Sequence, residues 1–378
     1  MMAVDGALPG IMPTALSLLA DDGIPSMQTK TPGGVGRIVV WLVDGLGYDQ
    51  LMEALDQGLM PHLARLTKSG AAHYRPIDSV FPSITPVALA SLITGTWPGQ
   101  HGVVGRYIQP GFNVPPLDTL GAGLHEGESP LLGVTLDQRA ANMGIHYEVV
   151  MEARLLAGTL TKILHPLTDR IVSYVSPLAL ATRMREALTQ SEPGLSYVYW
   201  PYLDSINHQR GPYSRDWADE MRSLDGVLAS ISADFSSASR HSVWLWIVAD
   251  HGHQVVRQVL PYDALRAAVP GLPERPMGCD RVAGLQLTGD QADAVTRVLP
   301  DLYDGNVLIQ PTETLVRAGD FGPDVRPGVM SRVGNWILEA GDGCIWDWDL
   351  AERMPRANHG GRSSAEMTIP FVEVCLQA

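Results

Sequence analysis

Two stretches of the chain are apolar without interruption and close on an acidic residue. Residues 37–45, RIVVWLVDG, are mostly aliphatic up to Asp44 and Gly45, and residues 242–252, SVWLWIVADHG, end on Asp250, His251 and Gly252. Continuous apolar runs of this length, as opposed to alternating ones, predict strands buried on both faces of a parallel sheet. YEVVME (147–152) and LSYVYWPYLD (195–204) read the same way, and a shorter run at 77–81 leads into FPSITP. Between these runs the apolar spacing lengthens to that of helices, over about 49–69, 85–95, 177–190 and 214–235. Lys68 before Gly70 marks one helix end, and Pro86 sits where a first-turn proline is tolerated. Strand alternating with helix over most of the chain predicts an α/β fold, with a largely parallel central sheet covered on both faces. Ligands of such sheets sit at the carboxyl ends of the strands. Asp44, Asp204 and Asp250 each close an apolar run, so three carboxylates are expected to converge on one sheet edge.

Elsewhere the periodicity weakens. Residues 1–36 read as a docked leader ending in the loop TPGGVG, ahead of a catalytic domain over 37–378. Two Pro- and Gly-rich segments, 106–135 and 255–345, read as insertions that cap the site. The N-terminus has no basic segment, and its apolar run is interrupted by Pro13 and closed by Asp21 and Asp22, a poor secretion signal. With no apolar stretch of ~18 residues, a cytoplasmic protein without a membrane partner is expected. The three cysteines, Cys279, Cys344 and Cys375, are too far apart for a zinc knuckle and odd in number for a disulfide framework. A formal net charge of −14 argues against a nucleic-acid polymer as partner. It leaves small anionic substrates open, because a metal site supplies its own local positive charge.

Each candidate motif has an ordinary structural reading when taken singly. A strand ending in Val-Asp-Gly is usually a strand-to-loop junction. Asp204-Ser-Ile-Asn-His208 puts a carboxylate and an imidazole on one helix face at i, i+4, which alone is a local hydrogen bond. Asp250-His251-Gly252 places two potential ligands at one turn, and Asn358-His359-Gly360-Gly361 is a histidine in a glycine loop. Together they supply three Asp and three His, enough for two zinc-type ions with open positions left for substrate.

In this order the motifs resemble the type I phosphodiesterase/nucleotide pyrophosphatase branch of the alkaline phosphatase superfamily. The likeness runs from about residue 37 to the C-terminus. It includes FPSITP followed by TGTWPGQHGVVG (94–105), which is similar to the family's T-G-x-x-P-x-x-H-G stretch after its nucleophile. The resemblance implies an alkaline-phosphatase-like fold and a hydrolase acting on a small phosphorylated substrate. It implies Thr85 as nucleophile between two divalent ions, Zn2+ foremost, with Mn2+ or Mg2+ as alternatives. One ion would be held by Asp204, His208 and His359, the other by Asp44, Asp250, His251 and the Thr85 hydroxyl. The two ions would balance three carboxylates and a threonine alkoxide.

The chain departs from the family at two positions. Where the family has an Asn donating to a phosphoryl oxygen, this chain has Arg106, and where it has an aromatic residue after the nucleophile, this chain has Pro86. A guanidinium grips two oxygens with a full charge, which favours a dianionic monoester. The expected activity is therefore a phosphomonoesterase, with a phosphodiesterase or nucleotide pyrophosphatase as the alternative. The family's second base-stacking aromatic is retained as Tyr199, a candidate substrate-binding residue alongside Arg106. His101 is expected to brace the loop after the nucleophile helix, and His253 stands as a substitute ligand. Trp346 and Trp348 read as packing. A sulfatase lacks support because FPSITP has no Arg two residues after its second proline, and a mutase would need more basic residues near Thr85. A non-catalytic protein on this fold would have lost ligands, and all seven positions are filled.

Overall fold

The uninterrupted apolar runs lie at the centre of a seven-stranded sheet. The computed structural model describes residues 6–20, 25–109, 117–118, 129–166, 170–190, 192–233, 242–348 and 354–376. Strand Arg37–Val43 pairs in parallel with Gly194–Trp200 on one side and Val243–Val248 on the other, and every residue of the three is buried. His146–Glu152 and Ile171–Tyr174 extend the sheet in parallel beyond Gly194–Trp200. On the other side Thr368–Cys375 runs antiparallel and carries Ala72–Asp78 at the edge. The register sets Val43 beside Trp200 and Leu42 beside Val248, so the segments that follow leave the sheet at one edge.

Some elements differ from the expected pattern, among them the run read as a strand over 195–204, which is strand Gly194–Trp200 followed after Pro201 by helix Tyr202–Arg210, so that Asp204 lies on a helix. The helix expected over 49–69 is two helices, Tyr48–Asp56 and Pro61–Ser69. Gly58 takes φ +68° between them, and Pro61 opens the second, where its missing N–H costs no helical bond. The strand expected at 77–81 is Ala72–Asp78, whose half-polar sequence suits an edge position. The helix expected over 214–235 spans Arg215–Ala233, its last two positions lying outside the described residues. Within the expected leader, Ile11–Ala20 is a helix whose Ile11, Met12, Ala15 and Leu16 join the main core. Residues 29–31 are fastened to the sheet by Glu373, which accepts from the backbone N–H groups of Lys30 (2.9 Å) and Thr31 (3.2 Å) and from both threonine hydroxyls.

A second sheet of six strands draws on the segments expected as insertions. Its order is Val307–Pro311, Trp336–Ala340, Val282–Leu285, Met277–Cys279, Tyr107–Ile108 and Leu117–Asp118. It has its own core, including Tyr262, Leu285, Val295, Tyr303, Leu338 and Trp346. Trp346 is fully buried there, and Trp348 packs edge-on against Tyr107. Of the insertion expected at 106–135, residues 110–116 and 119–128 lie outside the described residues. The three cysteines are free.

Candidate active site

The acidic ends of the strands converge with histidines from two loops and one helix. Asp44 directly follows strand Arg37–Val43, and Asp250 stands two residues after Val243–Val248. Asp204 and His208 face each other across one turn of helix Tyr202–Arg210, with Asp204 Oδ1 3.2 Å from His208 Nε2. Two groups of donor atoms result. Asp44, Asp250 and His251 form one, and Asp204, His208, His253 and His359 form the other, the donor atoms of each lying within 4.8 Å of one another. His253, read from the sequence only as a substitute, belongs to the second group, with Nε2 3.1 Å from Asp204 Oδ1. Its signal was the close spacing of His251 and His253 in one loop, which brings both imidazoles to the same sheet edge with ring centroids 5.4 Å apart. Gly252 lets that loop press inward, because a Cβ there would stand 2.1 Å from the Ala365 carbonyl oxygen.

The surroundings of each ligand candidate leave its inward atom exposed to the others. The Nδ1 atoms of His208, His251 and His359 lie 2.9, 3.1 and 2.9 Å from the backbone oxygens of Ala357, Gly252 and Ser83. Donation there fixes the tautomer and turns Nε2 inward with its lone pair, the arrangement metal-binding histidines adopt. Asp250 Oδ1 accepts from the N–H groups of Gly45 and His251, both at 3.0 Å, and Asp44 Oδ2 accepts from the Tyr199 hydroxyl. The remaining atoms, Asp44 Oδ1, Asp250 Oδ2, Asp204 Oδ1 and His253 Nε2, are buried and face the other ligand candidates. Burial, with Asp250 and Asp204 close by, pushes the Asp44 carboxyl well above its usual range. Burial also disfavours a charge on His359, whose pKa falls well below the ordinary value. Three crowded carboxylates and imidazoles whose Nε2 atoms face inward are the chemistry of a divalent cation site, and the donor set fits two such ions.

Thr85 is the first residue of helix Thr85–Thr94, with Ile84 as its cap, and its Oγ1 lies 3.2 Å from His251 Nε2. Two cavities meet at Thr85 and Asp204. One is a slot of about 190 Å³ that adds Pro86, Arg106, His208, Asp280 and Asn358 to its walls. Arg106 therefore faces this slot, its guanidinium over the Tyr107 ring at 5.3 Å. Asp280 and Asn358 escaped the sequence reading; Asn358 Nδ2 donates to Asp280 at 3.1 Å, beside His359. Tyr199 is only 8 % exposed and spends its hydroxyl on Asp44, although its ring lines the larger cavity. His101 lies outside the site. Its Nδ1 accepts from Val103 N at 3.1 Å and its Nε2 lies 2.8 Å from Ser91 Oγ, bracing the loop after the Thr85 helix.

Solved structures share this architecture at low identity. The murine ectonucleotide pyrophosphatase/phosphodiesterase 5 in complex with AMP superposes with a TM-score of 0.65 at 18 % identity, covering 89 % of this chain and 87 % of that one. Phosphonoacetate hydrolase from Sinorhizobium meliloti in complex with phosphonoformate gives 0.67 at 19 % identity, covering 90 % and 89 %. No curated protein matches the chain. Residues 38–270, which hold both strand-end aspartates, Thr85, the Asp204–His208 turn and the Asp250-His251 pair, match the type I phosphodiesterase/nucleotide pyrophosphatase family. The chain belongs to that family, within the alkaline phosphatase superfamily, and is a hydrolase of phosphoric ester bonds.

Proposed function

We propose that the chain is a phosphomonoesterase acting on small molecules, with Thr85 as its nucleophile and zinc as its metal. The observation that carries this reading is the position of Thr85, at a helix N-terminus beside His251 and in one slot with Arg106, Asp204, His208 and His359. In this reading Asp204, His208 and His359 hold one ion, and Asp44, Asp250, His251 and Thr85 hold the other. When bound, two such ions polarise the phosphoryl oxygens and lower the pKa of the attacking hydroxyl. The positive end of the Thr85–Thr94 helix favours negative charge at the same point. Thr85 Oγ forms a bond to phosphorus as the bond to the leaving alcohol breaks, and water then releases phosphate from the phosphothreonine. Arg106 grips the non-bridging oxygens, whose charge persists through the loose transition state. The second sheet caps the site, residues 1–36 are a docked leader, and the enzyme works in the cytoplasm. Among the described residues, no helix is long and apolar enough to cross a membrane.

Thr85→Ala is expected to lower turnover of aryl phosphate by at least ~10³-fold while metal content stays near that of the parent. Near-normal turnover would transfer the attack to water or another residue. The family supports a second reading, a diesterase or nucleotide pyrophosphatase. Aryl phosphate, bis-aryl phosphate and a nucleotide, assayed side by side together with phosphonoacetate, separate the two.

A further inference from the structure

The two cavities that meet at Thr85 differ in chemistry. Opposite the polar slot lies one of about 380 Å³, walled by Leu89, Met151, Leu155, Leu160, Leu164 and His165. That volume is in the range of sites that hold small molecules. The polar side chains that share this wall are largely spent elsewhere. Thr161 Oγ1 donates to the Leu155 carbonyl at 2.8 Å, the Tyr199 hydroxyl donates to Asp44, and Asp44 and Asp204 belong to the ligand groups. Besides Tyr197 and Ser205, the cavity is also lined by His165. It is 2 % exposed, its Nδ1 is buried without a hydrogen-bond partner, and burial lowers its pKa to about 4, so its ring is neutral. Tyr147 and Tyr197 flank that ring, with centroids at 6.4 and 5.6 Å. A nucleoside presents sugar hydroxyls and base edges that each need a partner once buried, and against these the wall sets few polar side chains, His165, Tyr197 and Ser205 among them. Five aliphatic side chains favour a group that gains by leaving water.

We propose that this cavity receives the organic part of the phosphoester, and that this part is an apolar hydrocarbon group, alkyl or aryl, in place of a nucleoside. The proposal rests on the reading of Thr85 as the point of attack, since the cavity opens at that residue. The zinc-loaded full chain is titrated calorimetrically with n-alkylphosphonates from methyl to hexyl, and with AMP. Each buried methylene is expected to tighten binding about fourfold, so hexylphosphonate should bind ~10²–10³-fold tighter than methylphosphonate, and tighter than AMP. Leu155→Asp and Leu160→Asp, two separate variants at half-buried wall positions, should each flatten the gradient. A flat series in the parent, a full gradient in both folded variants, or tighter binding of AMP than of hexylphosphonate would overturn the proposal. Turnover of methyl and hexyl phosphate is measured in parallel. A steep binding gradient with no hydrolysis of any phosphoester sinks the proposed function and leaves the pocket standing. Hydrolysis of both esters at equal kcat/KM, with a flat binding series, does the reverse.

Discussion

In the proposed reading, Arg106 is the residue on which the choice between monoester and diester turns. It opens the short strand side of the slot, its backbone N–H donating to the Gly278 carbonyl at 2.8 Å, and it shares that slot with Thr85 and with the carboxylate of Asp280. A monoester brings two negative charges that stay on the non-bridging oxygens through the transition state, so a guanidinium there helps it more than a diester. Arg106→Ala is expected to lower monoester kcat/KM by ~10²-fold or more and diester kcat/KM far less. Arg106→Asn should move the ratio toward diesters. Because the comparison is a ratio on one enzyme, errors in metal occupancy cancel. Equal losses on both substrates would assign Arg106 a general structural part, and no loss on either would remove the basis for monoester preference. The place of Arg106 beside Thr85 was legible because it stands in a motif with fixed spacing. His253 was harder to place, since its contact with Asp204 depends on how closely two distant loops approach. Gly45, at φ +78°, makes that approach possible: a Cβ there would stand 2.6 Å from His253 Cε1.

At the scale of elements, a buried carboxylate joins two helices far apart in sequence. Asp225, in the middle of helix Arg215–Ala233, accepts from the backbone N–H groups of His62 and Leu63, each at 2.9 Å, at the start of helix Pro61–Ser69. Those N–H groups have no partner within their own helix, and the negative charge also meets the positive helix end. Asp225→Ala should therefore cost about 2–3 kcal/mol, from the two donors left unpaired and the lost charge. Asp225→Asn, which keeps an acceptor, should cost about half of that. Urea unfolding at unchanged slope measures both, and equal stability of all three proteins would show that water replaces the carboxylate at no cost. This bond was invisible in the sequence, where Asp225 is one acid on a mixed helix face. The same limit explains the other unforeseen elements. Ile-Pro-Phe-Val-Glu-Val-Cys, within strand Thr368–Cys375, carries a proline and a glutamate that argue against an interior strand, yet Glu373 is buried because the 29–31 segment satisfies it. The strands of the second sheet are mostly two to five residues long, too short for a period to show. The long parallel strands were legible because burial on both faces demands an unbroken apolar run.

Across the whole molecule, the candidate metal site brings together segments far apart in sequence. Its seven ligand positions come from residue 44 to residue 359, and the His359 loop is held to the loop before Thr85 by Ser83, whose Oγ donates to the Gly361 carbonyl at 2.7 Å and accepts from Gly360 N at 3.2 Å. Without cations, three carboxylates share one buried neighbourhood, and Asp44 pays for it by a strongly raised pKa. Ions that bind only the folded chain stabilise it by mass action, about 2.7 kcal/mol for each site at a free concentration one hundred times its Kd. Chelation should therefore do more than stop turnover. It should lower the unfolding temperature, by on the order of 5 °C or more for two sites if each kcal/mol shifts Tm by roughly 1.3 °C. Stoichiometric zinc should restore both quantities, with two equivalents needed for full activity. Manganese or magnesium restoring activity more fully than zinc would change the metal and keep the site. A verified metal-free sample with full turnover and unchanged Tm would show that the carboxylate–imidazole groups hold no ion that the enzyme needs. In that outcome, the attack by Thr85 would have to be driven by the helix end and by Arg106 alone.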